Sequence, residues 1–421
     1  MGRKLLAGVA ALSLSAFAAA CGGDDEKTTP TASGGTETTM ESMAGDETTN
    51  ASLPTETGSA ELRAGLTALL QEHVYLAGIA ISQGVGEGLD SDAFKASAAT
   101  LDENSVALSE AIGGIYGDGA GEQFLALWRD HIGMFVDYTK GKATGDDKLA
   151  EKARSDLDGY RAELGAFLAS ANPNLTQEAV ADELKPHVST ILKTINDVIG
   201  GEATTFDQLR EAAGHMPQTA AVLAGAISAQ KPEDFDGDPA SGASELRSGL
   251  TGLLNEHVYT AGIAITQGVT QGLDSKQFEA AAGTLDANSV ALSEAIGGVY
   301  GDAAGEQFLA LWRDHIGMFV DYTKGKATGD DKLAAKARKD LDGYRAEFGA
   351  FLASANPNLT QEAVAEELKP HVASVIATID SLVAGDGEVF TKLREAASHM
   401  PQTANVLAGA IVKQMPDQFG A

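Results

Sequence analysis

The run GEQFLALWRDHIGMFVDYTKGKATGDDKLA at residues 121–150 occurs a second time, letter for letter, at residues 305–334. Moving outward from it, Glu61-Leu62-Arg63 returns as Glu245-Leu246-Arg247, and SVALSEAI at 105–112 returns at 289–296, always 184 residues further on. One long period present only twice marks a tandem duplication rather than a solenoid. The copies span 60–230 and 245–421, joined by the polar segment 231–244. At roughly 175 residues, each is long enough to enclose a core of its own.

The repeated run also sets the fold class. Phe124, Trp128, His131, Phe135 and Tyr138 are spaced by four and three, the period of one helix face. The same spacing recurs at Leu62, Leu66, Leu69, His73, Leu76 and Ala80, then from Leu149 to Phe167, then from Val180 to Ile195. No stretch alternates with period two long enough to make a strand. Asp90-Ser91 and Thr176 offer helix N-caps, while Gly113-Gly114, Gly117 and Ala171-Asn172-Pro173-Asn174 punctuate turns. About six helices per copy are therefore expected, near 60–86, 91–114, 119–142, 146–170, 176–199 and 203–229. The expected fold is all-α, as two tandem up-and-down bundles.

Sixty acidic residues against thirty basic ones give a net charge of −30, which repels phosphate-rich partners and excludes nucleic acid. A single cysteine allows no intramolecular disulfide. That residue, Cys21, follows Ala18-Ala19-Ala20 at the end of a basic start (Arg3, Lys4) and an apolar run. Such a run is too short to span a membrane comfortably and reads as a secretory signal, residues 1–20. Its end resembles the lipobox of bacterial lipoproteins, with Ala18 at the place usually taken by Leu. The resemblance implies acylation of Cys21 and an extracytoplasmic protein held to the cell membrane by lipid. Residues 21–59 are rich in Thr, Gly, Glu and Asp and read as a disordered, self-repelling tether.

The eight histidines are distributed evenly: His73, His131, His187 and His215 in the first copy, His257, His315, His371 and His399 in the second. All fall near the middle of expected helices. A helix midpoint keeps its height whichever way the helix runs, so mid-helix rings of an antiparallel bundle share one layer. His73, His131 and His187 also lie on the apolar stripes and should point inward, while His215 lies at a stripe border. Crowded imidazoles in a dry core stay neutral, which is the ligand form. Glu183 and Glu211, with Glu367 and Glu395, precede a histidine by four residues and are candidates to support a metal. Glu72 and Asp130, each adjacent to a histidine, should instead be solvated face charges. Pro186 and Pro217 are expected to kink or break their helices. Met134 and Met216 are nearby thioethers whose default role is core filling.

The set EHVYLAGIAI (72–81), LDENSVALSEAIGGIYG (101–117), RDHIGMF (129–135), FLASANPN (167–174), LKPHV (184–188) and HMPQTAAVLAGAI (215–227) resembles an uncharacterised helical family of Bacillus-type and actinobacterial genomes. Members usually carry one domain, and Pro217 and Gln218 stand where that family is more acidic. The resemblance implies a helical bundle with these histidines as recurring positions, and no activity.

The expectation is a surface-anchored lipoprotein that binds a transition metal (Cu, Zn or Fe) through four histidines per bundle, for storage, delivery or sensing rather than turnover. Two alternatives stay open: a structural envelope protein whose histidines are only packed, and a bis-histidine haem bundle, for which Gly and Ala would leave room.

Overall fold

The computed structural model describes residues 53–419; the signal segment, Cys21 and the tether up to residue 52 lie outside the described residues. Every regular element in the described part is helical, and there is no strand. After a 3-10 turn (Pro54–Glu56), the first copy forms α1 (Gly58–Gly86), α2 (Asp92–Tyr116), α3 (Asp118–Thr144), α4 (Asp147–Ala171), α5 (Gln177–Gly200), α6 (Thr205–Gly214) and α7 (Met216–Gln230). The second copy repeats this as α8 (Gly242–Thr270), α9 (Lys276–Tyr300), α10 (Asp302–Thr328), α11 (Asp331–Ala355), α12 (Gln361–Ala384), α13 (Val389–Ser398) and α14 (Met400–Gln414), followed by one turn, α15 (Pro416–Phe419).

Side-chain oxygens cap most of the helix starts: Ser91 accepts from the Phe94 N–H, Asp146 from Leu149 and Thr176 from Ala179, each at 3.1 Å. Gly145 and Gly201 end α3 and α5 in the left-handed region, at φ 72° and 67°, where a side chain would be strained. The two prolines behave differently. Pro186 sits inside a continuous α5, whereas Pro217, which has no N–H to donate, starts a new helix. The single expected helix over 203–229 is therefore two helices, α6 and α7, hinged at His215.

Consecutive helices pack as neighbours up and down each bundle, and α1, α3 and α5 also touch one another behind them. Close approach is possible where glycine replaces a side chain. A Cβ on Gly121 of α3 would stand 2.8 Å from the Ser109 carbonyl oxygen of α2.

The two copies meet along α1 and α8, and the contact is reciprocal, as in a twofold interface. Tyr75 and Tyr259 stack at 5.5 Å with ring planes 11° apart. Arg63 faces Glu245 as Arg247 faces Glu61. Thr67 and Ser248 share a buried hydrogen bond of 2.8 Å. The segment between the copies also packs: Phe235 is buried, its carbonyl accepts from the Ser59 hydroxyl, and Asp236 accepts from the Gly58 N–H. Residues expected at the end of the tether are likewise structured, with Thr55 buried and its carbonyl held by Arg247.

Glu72 corrects the sequence reading. It is buried at the interface rather than solvated, and it accepts from Asn104 Nδ2 of α2 at 3.0 Å and from Arg394 Nε of the other copy at 2.6 Å. Glu256 matches it, accepting from Asn288 at 2.9 Å, Arg210 at 2.7 Å and the Tyr75 hydroxyl at 3.3 Å. Asp130, by contrast, is exposed as expected.

Removing one partner of a buried ion pair strands the other charge. Arg394→Met should lower the unfolding free energy by about 3 kcal/mol in equilibrium urea denaturation, the low end of the range for a buried pair. The low end applies because the Arg394 side chain keeps 26% of its surface exposed. Adding Glu72→Gln to that variant should restore part of the loss.

Candidate metal centre

Three helices of like direction each deliver one imidazole to a shared point. His73 is residue 16 of the 29 in α1, His131 residue 14 of the 27 in α3, and His187 residue 11 of the 24 in α5. Near-central placement brings them to one height, and the apolar stripes turn them inward. All three are buried, and one ligand nitrogen from each lies within 4.8 Å of the others. His73 and His131 oppose their Nε2 atoms at 3.3 Å. The ring centroid of His73 is 5.2 Å from that of His131 and 6.2 Å from that of His187. In the second copy His257 and His315 oppose Nε2 atoms at 3.4 Å, with centroids at 5.3 Å and, to His371, 6.2 Å.

The surroundings are aromatic. Trp128, one turn before His131 on the same face of α3, lies 4.8 Å from the His73 ring and 4.6 Å from that of His131. Tyr160 of α4 stacks on His131 at 4.8 Å, and Phe135 stands edge-on to both His131 and His187. Sequence reasoning placed Trp128, Phe135 and Tyr160 on core stripes without assigning them to the site. The usable signal was the three-residue and four-residue spacing of Trp128 and Phe135 from His131.

Burial pushes the His73 ring well below the usual imidazole range, and the neighbouring His131 and His187 add to it. His131 falls to about 3, through burial first and then His187. His187 falls to about 4, through burial and then His215. His257, His315 (about 3) and His371 (about 4) repeat the pattern. All six rings are therefore neutral at pH 7, with nitrogen lone pairs free to ligate.

Polar atoms in this nest are left without partners. The Nδ1 atoms of His73, His187, His257 and His371, the indole N–H of Trp128 and Trp312, and the Tyr160 and Tyr344 hydroxyls are buried and make no hydrogen bond, whereas His131 and His315 lie against the backbone of Leu127 and Trp128 and of Leu311 and Trp312, which favours their protonated form without a well-formed bond. A 3.3 Å N–H···N contact between His73 and His131 uses one proton. Where His73 is the accepting ring, its Nδ1–H is left buried and unsatisfied, at a cost of about 1–3 kcal/mol. Two nitrogens bound to one tetrahedral metal at about 2.0–2.1 Å would lie roughly 3.3–3.4 Å apart, which is the spacing found.

The remaining candidates stand elsewhere. His215 is half-buried at the hinge between α6 and α7, near enough to His187 to disfavour its protonation but outside the group of three; His399 does the same for His371. The break at Pro217 takes the fourth ring out of the mid-helix layer. Glu183 accepts from the Thr219 hydroxyl at 3.1 Å and Glu367 from Thr403 at 3.2 Å, while Glu211 and Glu395 are exposed. Met134 and Met216 pack with the core.

An apolar cavity adjoins each cluster, about 30 Å³ beside His73 and His187 and about 140 Å³ beside His257, His315 and His371. Comparison with known protein families, characterised proteins and solved structures returns no match, so the geometry alone carries the functional reading.

The lowered imidazole values fix a sign. Below pH 6.5 the unfolded chain binds protons that the folded clusters refuse, so stability is complete above that pH and drains away as pH falls toward about 4 and 3. Within that window each unit costs about 1.4 kcal/mol per buried ring. The urea midpoint should drop steeply between pH 7 and 5.5, and His131→Leu with His315→Leu should flatten that dependence.

Proposed function

We propose that each copy binds one transition-metal ion through three neutral imidazoles: His73, His131 and His187 in the first, and His257, His315 and His371 in the second. The observation that carries the reading is the opposed Nε2 pair, spaced as two ligands of one tetrahedral ion, with the Nδ1 atoms of His73, His187, His257 and His371 buried around it and unpartnered. An all-nitrogen set favours Zn or Cu. The glutamates that would have favoured Fe or Mn are turned to other partners or to solvent. Three protein ligands leave a fourth position for water or another ligand.

The haem alternative finds no support here. Axial nitrogens on opposite sides of one iron stand roughly 4 Å apart, twice a metal–nitrogen bond of about 2.0 Å, with a macrocycle between them. The opposed pair is closer, and the cavities of about 30 and 140 Å³ are far smaller than a porphyrin needs. The proposal includes attachment to the outer face of the cell membrane through acylated Cys21, on the strength of the lipobox-like AAAC at 18–21.

The full chain, purified without a polyhistidine tag, stripped with a chelator and titrated with Zn²⁺ or Cu⁺, should take up two ions. His131→Ala with His315→Ala should abolish uptake, and Glu211→Ala with Glu395→Ala should leave it unchanged. If the histidine variant binds as the parent does, or the parent takes up no metal, the rings are packing residues and the site is lost. In cells, Cys21→Ser should move the protein from the membrane fraction to the soluble one.

A further inference from the structure

The two halves share their histidines but not the space beside them. The 13 residues around the smaller cavity all have counterparts 184 positions on, and all are identical except one, Ile191 where the second copy has Val375. Around the larger cavity Val258, Ala261, Ile265, Phe278, Leu285 and Phe319 form an apolar wall. The imidazoles of His257, His315 and His371 line it too, and the Nδ1 atoms of His257 and His371 are buried and unpartnered. The Asp286–Arg313 ion pair, at 2.6 Å and half exposed, marks the solvent side.

A largely apolar space of about 150 Å³ accepts a guest such as benzene or xenon. The second copy's cavity, at about 140 Å³, comes close to that size; the first copy's, at about 30 Å³, holds about one water. We infer that the second copy is a binding site for a small, mainly apolar molecule of up to about benzene size, seated against the imidazole cluster, and that the first copy is closed to it. The inference needs no metal. If the metal reading also holds, the guest lies against the same imidazoles that would hold the ion, and the duplicated halves have diverged into one site that binds metal alone and one that binds metal and a guest together.

Benzene titrated calorimetrically into the metal-free full chain tests this. One molecule should bind per chain. Ala282→Leu, which adds bulk to the cavity wall, should weaken binding about tenfold or more, and Val375→Ile, which gives the second copy the lining of the first, should do the same. Ile191→Val should open the first copy and raise the stoichiometry toward two. Circular dichroism establishes that each variant is folded, and Val375→Ile, a change the first copy already contains, keeps the test valid should Ala282→Leu unfold. No uptake by the parent chain, or uptake that neither filling variant reduces, overturns the inference. Because the titration is done without metal, its failure is separate from a failure of metal binding.

Discussion

Everything in this protein is organised around a helix with no solvent side. Helix α1, like its counterpart α8, is buried over most of its length: it packs against α2 and α7 of its own copy, against α8 of the other, and touches α3 and α5 across the core. It is the one described helix long and apolar enough to cross a membrane, and here it is a core element. A helix buried all round is apolar all round, so each polar residue it carries must find a partner inside the protein. Thr67 and Glu72 do so through the other copy. Gln71 Oε1 finds none, and His73 meets only another imidazole at Nε2 and nothing at Nδ1.

Glu72 and His73 are neighbours in sequence, and about 100° separates them around the helix. One side of that angle faces the twin copy and its Arg394; the other faces the centre of the helix's own bundle. The same two residues recur as Glu256 and His257 with Arg210. The pairing of copies and the assembly of the imidazole cluster therefore share one turn of one helix. A shift of α1 along α8 would misplace a buried charge and move a ring out of its layer together. The interface fixes the height at which His73 meets His131 and His187.

Within that frame the two halves keep the same donors and differ in what stands next to them. The ring spacings agree to about 0.1 Å between copies, whereas the adjoining cavities differ severalfold in volume. Such a pattern follows when the imidazole cluster is held by helix register while the space beside it depends on how the surrounding side chains pack.

Much of this was legible in the residue order. The 184-residue offset exposed the duplication, the spacing of apolar residues assigned the helices, and their coincidence with His73, His131 and His187 pointed three rings inward at one level. These are local properties, set by 3.6 residues per turn and by where a helix begins and ends. Two things were settled only by the packed chain. Pro217 broke a helix while Pro186 did not, so His215 fell out of the layer, because the cost of a proline depends on whether the surrounding helices hold the turn together. Glu72 became a buried ion-pair partner because Arg394, 322 residues away, reaches it, and no local rule relates positions so distant. Helical period decides which residues share a face; only tertiary contact decides what that face meets.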